Sequence, residues 1–509
     1  MSFREFMHKL PVKIVCGACA VLTPFIWMMS REFHFFFDFF PGFSYVVLAL
    51  TILVAAYELV YLYPAFSDKT RERKALRVIY YVCAFLGVIT LIGFSIIIGV
   101  LAPQMSRNVF YKELPYLCIV GVIILLAFAA AWKNAKITAA LAACALVATL
   151  LVGILVPLAH ASSFKFEATP AVFDRGDHYL VVWATNVNSV GKIEYSYGGE
   201  NYVVYDEIAG RINLSESIHS VVVPKEHLGN NSYTVSSSKV LKNVAYGSQT
   251  GKTISFTATF SPVKSDDFDL LIITDNHNIK KSWYDKFTIQ SAPSAVVMLG
   301  DFADMISDEK TIVDCLLYPS AKFSEGKVPV IYAKGNHDNR GERANDLSRI
   351  FRTEKFYYVT ELGGYRFAVL DSGESNLDDF KEYGYACFDE YRKTQLAEID
   401  AKLTPDKKNV VVVHDPVYAP DLQTSGKFYE TVKNRDVKLV LSGHTHEFLL
   451  NERPTEAAAH SLICGGVAPG ESLVKTDFVY SLLTFENDTV NIEAFSVKKG
   501  KTFEKRISL

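Results

Sequence analysis

The sequence predicts a multi-pass α-helical membrane domain followed by an extracytoplasmic β-sandwich and an α/β domain, and three observations carry that fold class. Composition breaks near residue 160, where 13 Lys and Arg against 7 Asp and Glu give way to 39 against 48. Long apolar stretches fill the part before the break, as bilayer-spanning helices require. After it come short β-branched runs bounded by Gly, Asn and Asp, the pattern of strands and turns. Domains are expected at residues 1–160, 166–263 and 266–509.

The first domain is expected to hold about five transmembrane helices, running from Val12 to Met29, Phe43 to Phe66, Val78 to Ala102, Leu114 to Trp132 and Ile137 to Leu158. Each is near the roughly 17 to 25 residues that cross a hydrocarbon core. Arg4, Lys9 and Lys13 around the start of the first stretch would also suit a signal peptide, but no small-x-small cleavage site follows it. Phe35, Phe36, Phe37, Phe39 and Phe40 instead read as an interfacial aromatic belt. Basic residues set the orientation. Lys69, Arg71, Arg73, Lys74 and Arg77 occupy the second connection and Lys133 and Lys136 the fourth, against Arg107 and Lys112 in the third. The positive-inside rule puts the second and fourth connections in the cytoplasm, so the chain beyond residue 160 is expected outside the cell membrane, with the lipid bilayer as a partner. Glu58 is an ionisable group in the second stretch, where charge is expensive. Only Cys315, Cys387 and Cys464 lie beyond the apolar part, too few for a disulfide framework, and Cys387 and Cys464 read as packed thiols.

Strand signals open the second domain: Tyr179 to Trp183, Lys192 to Tyr197, Ser220 to Val223 and Thr253 to Phe260, separated by Gly, Asn and Ser turns. That spacing argues an antiparallel β-sandwich. Farther on, Leu396, Ile399 and Leu403 share one face of a predicted helix. A hairpin is expected around Asn487 and Asp488, completing the second sheet of the last domain.

Chemistry concentrates in five blocks between residues 270 and 450: Asp275-Asn276-His277, Gly300-Asp301-Phe302-Ala303-Asp304, Gly335-Asn336-His337-Asp338, Val413-His414-Asp415-Pro416 and Gly443-His444-Thr445-His446. Each follows a strand-like apolar run, and strand ends are where a rigid scaffold gathers polar groups. Oxygen donors come from Asp275, Asp301 and Asn336, nitrogen donors from His277, His414, His444 and His446. A mixed set of this kind suits borderline first-row divalent metals such as Mn, Fe or Zn. No block contains cysteine, which argues against a structural zinc site. His8, His34, His160, His178, His219, His227 and His460 have no partner spacing and read as ordinary histidines, and Asp371 as a strand-end turn residue.

In this order the blocks resemble the calcineurin-like metallophosphoesterase family, with its Asp-x-His, Gly-Asp, Gly-Asn-His-Asp, lone His and Gly-His-x-His signature, over roughly residues 266 to 495. The resemblance implies a four-layer αββα fold and two divalent metal ions. Asp275, His277 and His446 would hold the first, and Asn336, His414 and His444 the second, with Asp301 between them. It also implies His337 as the catalytic histidine, protonated and donating to the leaving alkoxide, with Asp338 fixing its orientation and charge. Metals would clamp the phosphate oxygens and lower the pKa of an attacking water. The preceding segment, through Val182 to Thr185, Tyr197-Gly198 and His219 to Val223, is similar to the fibronectin-III-like domain of purple acid phosphatases. The chain departs from those enzymes at Asp304, where they place a metal-binding tyrosine. Expected, then, is a membrane-anchored dinuclear phosphoesterase acting on phosphomonoesters or phosphodiesters; the alternative is a membrane sensor or scaffold that binds a phosphorylated ligand. Arg340, Asn339 and Tyr418 adjoin the blocks and could contact substrate. No nucleic-acid partner is predicted.

Overall fold

A computed structural model describes residues 164–509 apart from 243–247, 280, 288, 290–291, 377, 379–385, 417–423, 425, 453–458 and 469–476. In chain order the strands are β1 (Phe166–Asp174), β2 (His178–Thr185), β3 (Ser189–Tyr197), β4 (Glu200–Tyr205), β5 (Glu207–Ile208), β6 (Arg211–Ile212), β7 (Ile218–Pro224), β8 (Ser232–Lys242) and β9 (Gln249–Thr259). There follow β10 (Phe268–Ile273), β11 (Ala295–Leu299), β12 (Pro329–Ala333), β13 (Tyr358–Leu362), β14 (Tyr365–Val369), β15 (Lys408–Val412) and β16 (Val437–Ser442). The last are β17 (Phe448–Asn451), β18 (His460–Cys464), β19 (Gly466–Val467), β20 (Phe478–Glu486), β21 (Thr489–Ser496) and β22 (Gly500–Ser508).

Two sheets carry the blocks. The larger has ten strands in the order β22-β21-β20-β10-β11-β12-β1-β2-β7, with β19 on β20; the second has six, in the order β13-β14-β15-β16-β18-β17. Strands β10, β11 and β12 run parallel, as do β14, β15, β16 and β18, so each set brings its block-bearing ends to one side. The block-bearing strands β10, β11, β12, β15 and β16 are buried on two faces over most of their length, which is why they read as aliphatic runs. Between the sheets, Leu270, Ile272, Val297, Leu299 and Ile331 pack with Phe367, Val369, Val410, Val412, Leu439 and Leu441. The outer face of the larger sheet packs on Ile312, Leu316 and Leu317. That of the second packs on Leu396 and Ile399 from the helix Phe388–Lys402 and on Phe428 and Val432 from the helix Lys427–Asn434. Helix, sheet, sheet and helix make four layers, the α/β part of the expected fold. The hairpin at Asn487 lies in the larger sheet, because β20 pairs with β10 rather than with the second sheet as expected.

The rest of the expected fold class is corrected. The described chain is mostly strand with few helices, and none of its helices is long and apolar enough to cross a membrane. The longest, Phe388–Lys402, has 15 residues, about 22 Å at 1.5 Å per residue against a hydrocarbon core of about 30 Å. The five stretches read as a multi-pass helical membrane domain fall outside the described residues. Nor does the sandwich segment keep its strands to itself. Strand β1 pairs in parallel with β12, Val172 opposite Pro329, so β1, β2 and β7 extend the larger sheet. Only β4, β3, β8 and β9 form a separate four-stranded sheet. The two are joined by packing of Tyr179, Val181 and Trp183 on Ile193, Tyr233 and Val235. Alternation of apolar and polar residues marks a strand but not its partner, and β12 would otherwise be a bare edge that another chain could pair with. Cys387 is exposed, contrary to its reading as a packed thiol, whereas Cys464 is buried. Asp371 does close a turn, accepting from Gly373 N at 2.9 Å.

Candidate metal centre

Three of the five blocks leave their strand ends in an unusual backbone conformation that turns side chains toward one another. Asp275, His277, Asp301, His444 and His446 all have positive φ, between 43° and 72°, which costs a non-glycine residue roughly 1 kcal/mol or more. Surrounding contacts hold them there. Asp275 N donates to Gly300 O at 3.0 Å and His277 N to Asp301 O at 3.1 Å, while His444 N donates to both carboxylate oxygens of Asp275 at 3.1 and 3.0 Å. Gly443 is required by close approach: a Cβ there would overlap Thr274 Oγ1 and lie 2.6 Å from Asp275 Oδ2.

Three histidines have their tautomer set by an acceptor behind the ring. His414 Nδ1 meets Leu299 O at 2.7 Å, His446 Nδ1 meets Val467 O at 2.8 Å, and His277 Nδ1 meets Asp304 Oδ1 at 2.8 Å. Each Nδ1 therefore donates its proton away from the centre, which leaves Nε2 facing inward. His277 Nε2 lies 4.0 Å from Asp275 Oδ1 and 3.6 Å from Asp301 Oδ2; His446 Nε2 lies 3.6 Å from Asp275 Oδ1; His414 Nε2 lies 3.1 Å from Asp301 Oδ2. His444 presents Nδ1 instead, 3.0 Å from Asn336 Oδ1 and 3.2 Å from Asp415 Oδ1. Donor atoms close enough to share an ion fall into Asp275, His277 and His446; Asp301, His414 and His444; and His277, Asp301 and His337. Asp301 belongs to two of these groups, between the other ligands.

These residues fit divalent cations on several counts. His277 Nε2 is buried without a hydrogen-bond partner, and the Asn336 amide lies between Asp301 Oδ2, His444 Nδ1 and Arg340 Nη2. Burial works against the charge of Asp301, but the imidazoles of His414, His337 and His277 hold it well below the usual carboxylate range. Burial likewise pushes His414 down, and the carboxylates of Asp301 and Asp275 more than reverse it. Buried carboxylates ringed by imidazole nitrogens are the donor set of a borderline divalent metal.

His337 and Asp338 stand differently from their sequence reading. Asp338 is fully buried and does not serve the His337 ring. Its carboxylate accepts from Asp301 N at 3.2 Å, Phe302 N at 3.1 Å, Gly335 N at 3.0 Å and Tyr332 Oη at 3.0 Å, tying two blocks together. Burial and the nearby Asp301 charge push its pKa up to about 7 against those four donors. The His337 ring has other partners: Nδ1 donates to Asp304 O at 2.8 Å, and Nε2 accepts from Arg340 Nη1 at 3.0 Å. Burial lowers the His337 pKa against the opposing pull of the Asp301 charge and the Asp304 carbonyl, and His277 and Arg340 add to the lowering. The expected partner of the His337 ring, Asp338, is thus corrected to Asp304 O and Arg340 Nη1. The reason is local: the 3-10 turn His337–Asn339 aims consecutive side chains in different directions, so adjacency in sequence does not make Asp338 the partner. Asp304 and Glu374 are the functional residues sequence reasoning left without a role or missed, whereas Arg340 was read as a substrate contact and is found on the His337 ring.

Residues 268–448 match the family model of the calcineurin-like phosphoesterase. The chain therefore carries a calcineurin-like phosphoesterase domain. That domain makes it a metal-dependent phosphoesterase, a hydrolase, and its substrates phosphate esters. Among solved structures, a purple acid phosphatase from yellow lupin (Lupinus luteus) is similar at 16% identity, over 67% of this chain and 74% of that one, with a TM-score of 0.44. A predicted phosphoesterase from Streptococcus pneumoniae is similar at 13% identity over 48% of this chain and 98% of its own, TM-score 0.26. A cold-active protein-tyrosine phosphatase from a psychrophilic Shewanella is similar at 10% identity over 67% of this chain and 99% of its own, TM-score 0.23. Among curated proteins no relative matches the chain. At Asp304 the phosphoesterase domain has a carboxylate that orients His277, where the sequence comparison with purple enzymes expects a tyrosine ligand.

Proposed function

We propose that the phosphoesterase domain hydrolyses phosphomonoesters or phosphodiesters at two divalent metal ions. Asp275, His277 and His446 would hold one, Asn336, His414 and His444 the other, and Asp301 both. The observation that carries this reading is the shared position of Asp301, with Nε2 of His414 at 3.1 Å on one side and Nε2 of His277 at 3.6 Å on the other. Bound there, divalent cations would supply Lewis-acid polarisation of phosphoryl oxygens and acidify water. The chain's own groups do the rest. Asp304 holds His277 through its carboxylate and His337 through its carbonyl, so one residue aligns a ligand and the proton carrier. His337 would take up a solvent proton at Nε2, in place of the Arg340 contact there, and pass it to the leaving oxygen as that oxygen's bond to phosphorus breaks, while Nδ1–H stays on Asp304 O.

The test is metal content and phosphatase turnover measured together. Asp301→Ala is expected to lose both, and His337→Ala to keep metal and lose turnover by roughly 100-fold or more. Asp301→Ala with full metal and turnover would overturn the assignment. We further propose that the active side is extracytoplasmic, a reading that rests on the charge asymmetry of the sequence. A membrane-impermeant thiol reagent should label exposed Cys387 in intact cells, with Cys387→Ser as the control. Labelling only after permeabilisation would refute it.

A further inference from the structure

We propose that Arg340 is a phosphate-binding residue that biases this site toward phosphomonoesters, an inference that rests on the phosphoesterase reading above. Arg340 follows directly on the turn that carries His337. Its Nε and Nη2 donate in parallel to the two carboxylate oxygens of Glu374, at 2.9 and 2.8 Å. Such a fork holds the guanidinium plane rigid. Glu374 is itself buried and positioned. The fully buried Arg392 donates to Ser372 O at 2.7 Å and to Glu374 O at 3.2 Å, fixing the segment that presents it.

The fork leaves the third guanidinium nitrogen aimed at the centre. Nη1 reaches His337 Nε2 at 3.0 Å, and Nη2 stands 3.1 Å from the Asn336 amide, so a cation is fixed beside a candidate ligand and the candidate proton carrier. A quarter of the Arg340 side chain is exposed, which lets a ligand reach it. Positive charge held next to a metal-binding cluster is unfavourable by itself and becomes favourable when an anion lies between them. A phosphomonoester dianion brings three terminal oxygens and a diester only two. The fixed guanidinium supplies a further charged donor that the third oxygen uses and a diester lacks. The contact to His337 Nε2 serves either ester, so loss of that contact alone would not discriminate between them.

Purified full-length wild type, Arg340→Met, Arg340→Lys and Glu374→Gln would be compared with p-nitrophenyl phosphate and bis(p-nitrophenyl) phosphate, with metal content and calorimetric binding of inorganic phosphate measured alongside. Arg340→Met is expected to raise KM for the monoester roughly 10- to 100-fold and to weaken phosphate binding as much, with KM for the diester changed less than about threefold and metal content unchanged. Arg340→Lys keeps the charge without the fork, and Glu374→Gln weakens the fork without removing the cation; both should fall between. Equal losses for the two esters, or unaltered phosphate binding in Arg340→Met, would overturn the proposal. Hydrolysis of neither ester by wild type would sink the phosphoesterase reading alone, because the phosphate-binding arm still reports on Arg340.

Discussion

Removing the Asp338 carboxylate tests how the centre is held together. Its two oxygens accept from three backbone N–H groups, those of Asp301, Phe302 and Gly335, and from Tyr332 Oη, all in the buried interior. Asp338→Ala strands four donors. At about 1 to 3 kcal/mol each, and with relaxation favouring the low end, the expected loss is about 4 kcal/mol. Asp338→Asn is a finer probe. Oδ2 takes three of the four bonds and Oδ1 only that from Phe302 N, so an amide with its oxygen at the Oδ2 position keeps three and turns its nitrogen against one N–H. About 1 to 3 kcal/mol is expected for that single mismatch. Urea titration followed by tryptophan fluorescence should order the proteins wild type, Asp338→Asn, Asp338→Ala, with unchanged slope. Metal content should fall in the same order, because the loops bearing Asp301 and Asn336 lose their tie. Two variants equal to one another, or both equal to wild type, would refute the reasoning.

Other perturbations reach separate parts of the argument. Asp304→Asn removes the carboxylate behind His277 but keeps the carbonyl that holds His337, so metal titration should show affinity reduced roughly 10- to 100-fold. Gly443→Ala forces a methyl against Thr274 Oγ1 and Asp275 Oδ2; a stability loss of about 1 to 3 kcal/mol with lost activity is expected, whereas Gly229→Ala, whose nearest neighbour is 3.9 Å away, should change neither. Burial and the adjacent Glu309 and Asp346 push Glu216 up to about 7, with Arg349 opposing them. Stability from this raised carboxyl is full below the unfolded value of about 4.5 and is lost as pH rises through about 7. Glu216→Gln should thus match wild type near pH 4 and exceed it near pH 8 by about 1 kcal/mol after allowance for solvent screening, as thermal melts across that range would show.

The strand cores and the ligand set were legible because each depends on local chemistry. Buried parallel strands need unbroken aliphatic runs, and ligands at strand ends need Asp, Asn and His next to glycine. The partners behind those ligands were not legible in the same way. Two of the three acceptors that set histidine tautomers through Nδ1 are carbonyls, Leu299 O and Val467 O, and a carbonyl has no sequence signature. Asp338 was read as the partner of His337 from adjacency, yet a 3-10 turn separates their side chains. Glu374 is 34 positions from Arg340, in a segment with no motif.

What the sequence determined by itself is the chemistry offered: five blocks of oxygen and nitrogen donors, the strands that carry them, and through them a phosphoesterase domain. Those follow from residue type and short-range spacing. Only the tertiary structure decided which strands share a sheet, which nitrogen of each histidine faces the centre, and that Asp304 and Arg340, rather than Asp338, hold the His337 ring. Such choices depend on contacts between residues tens to hundreds of positions apart, and hydrogen bonds across that distance leave no periodicity in the chain.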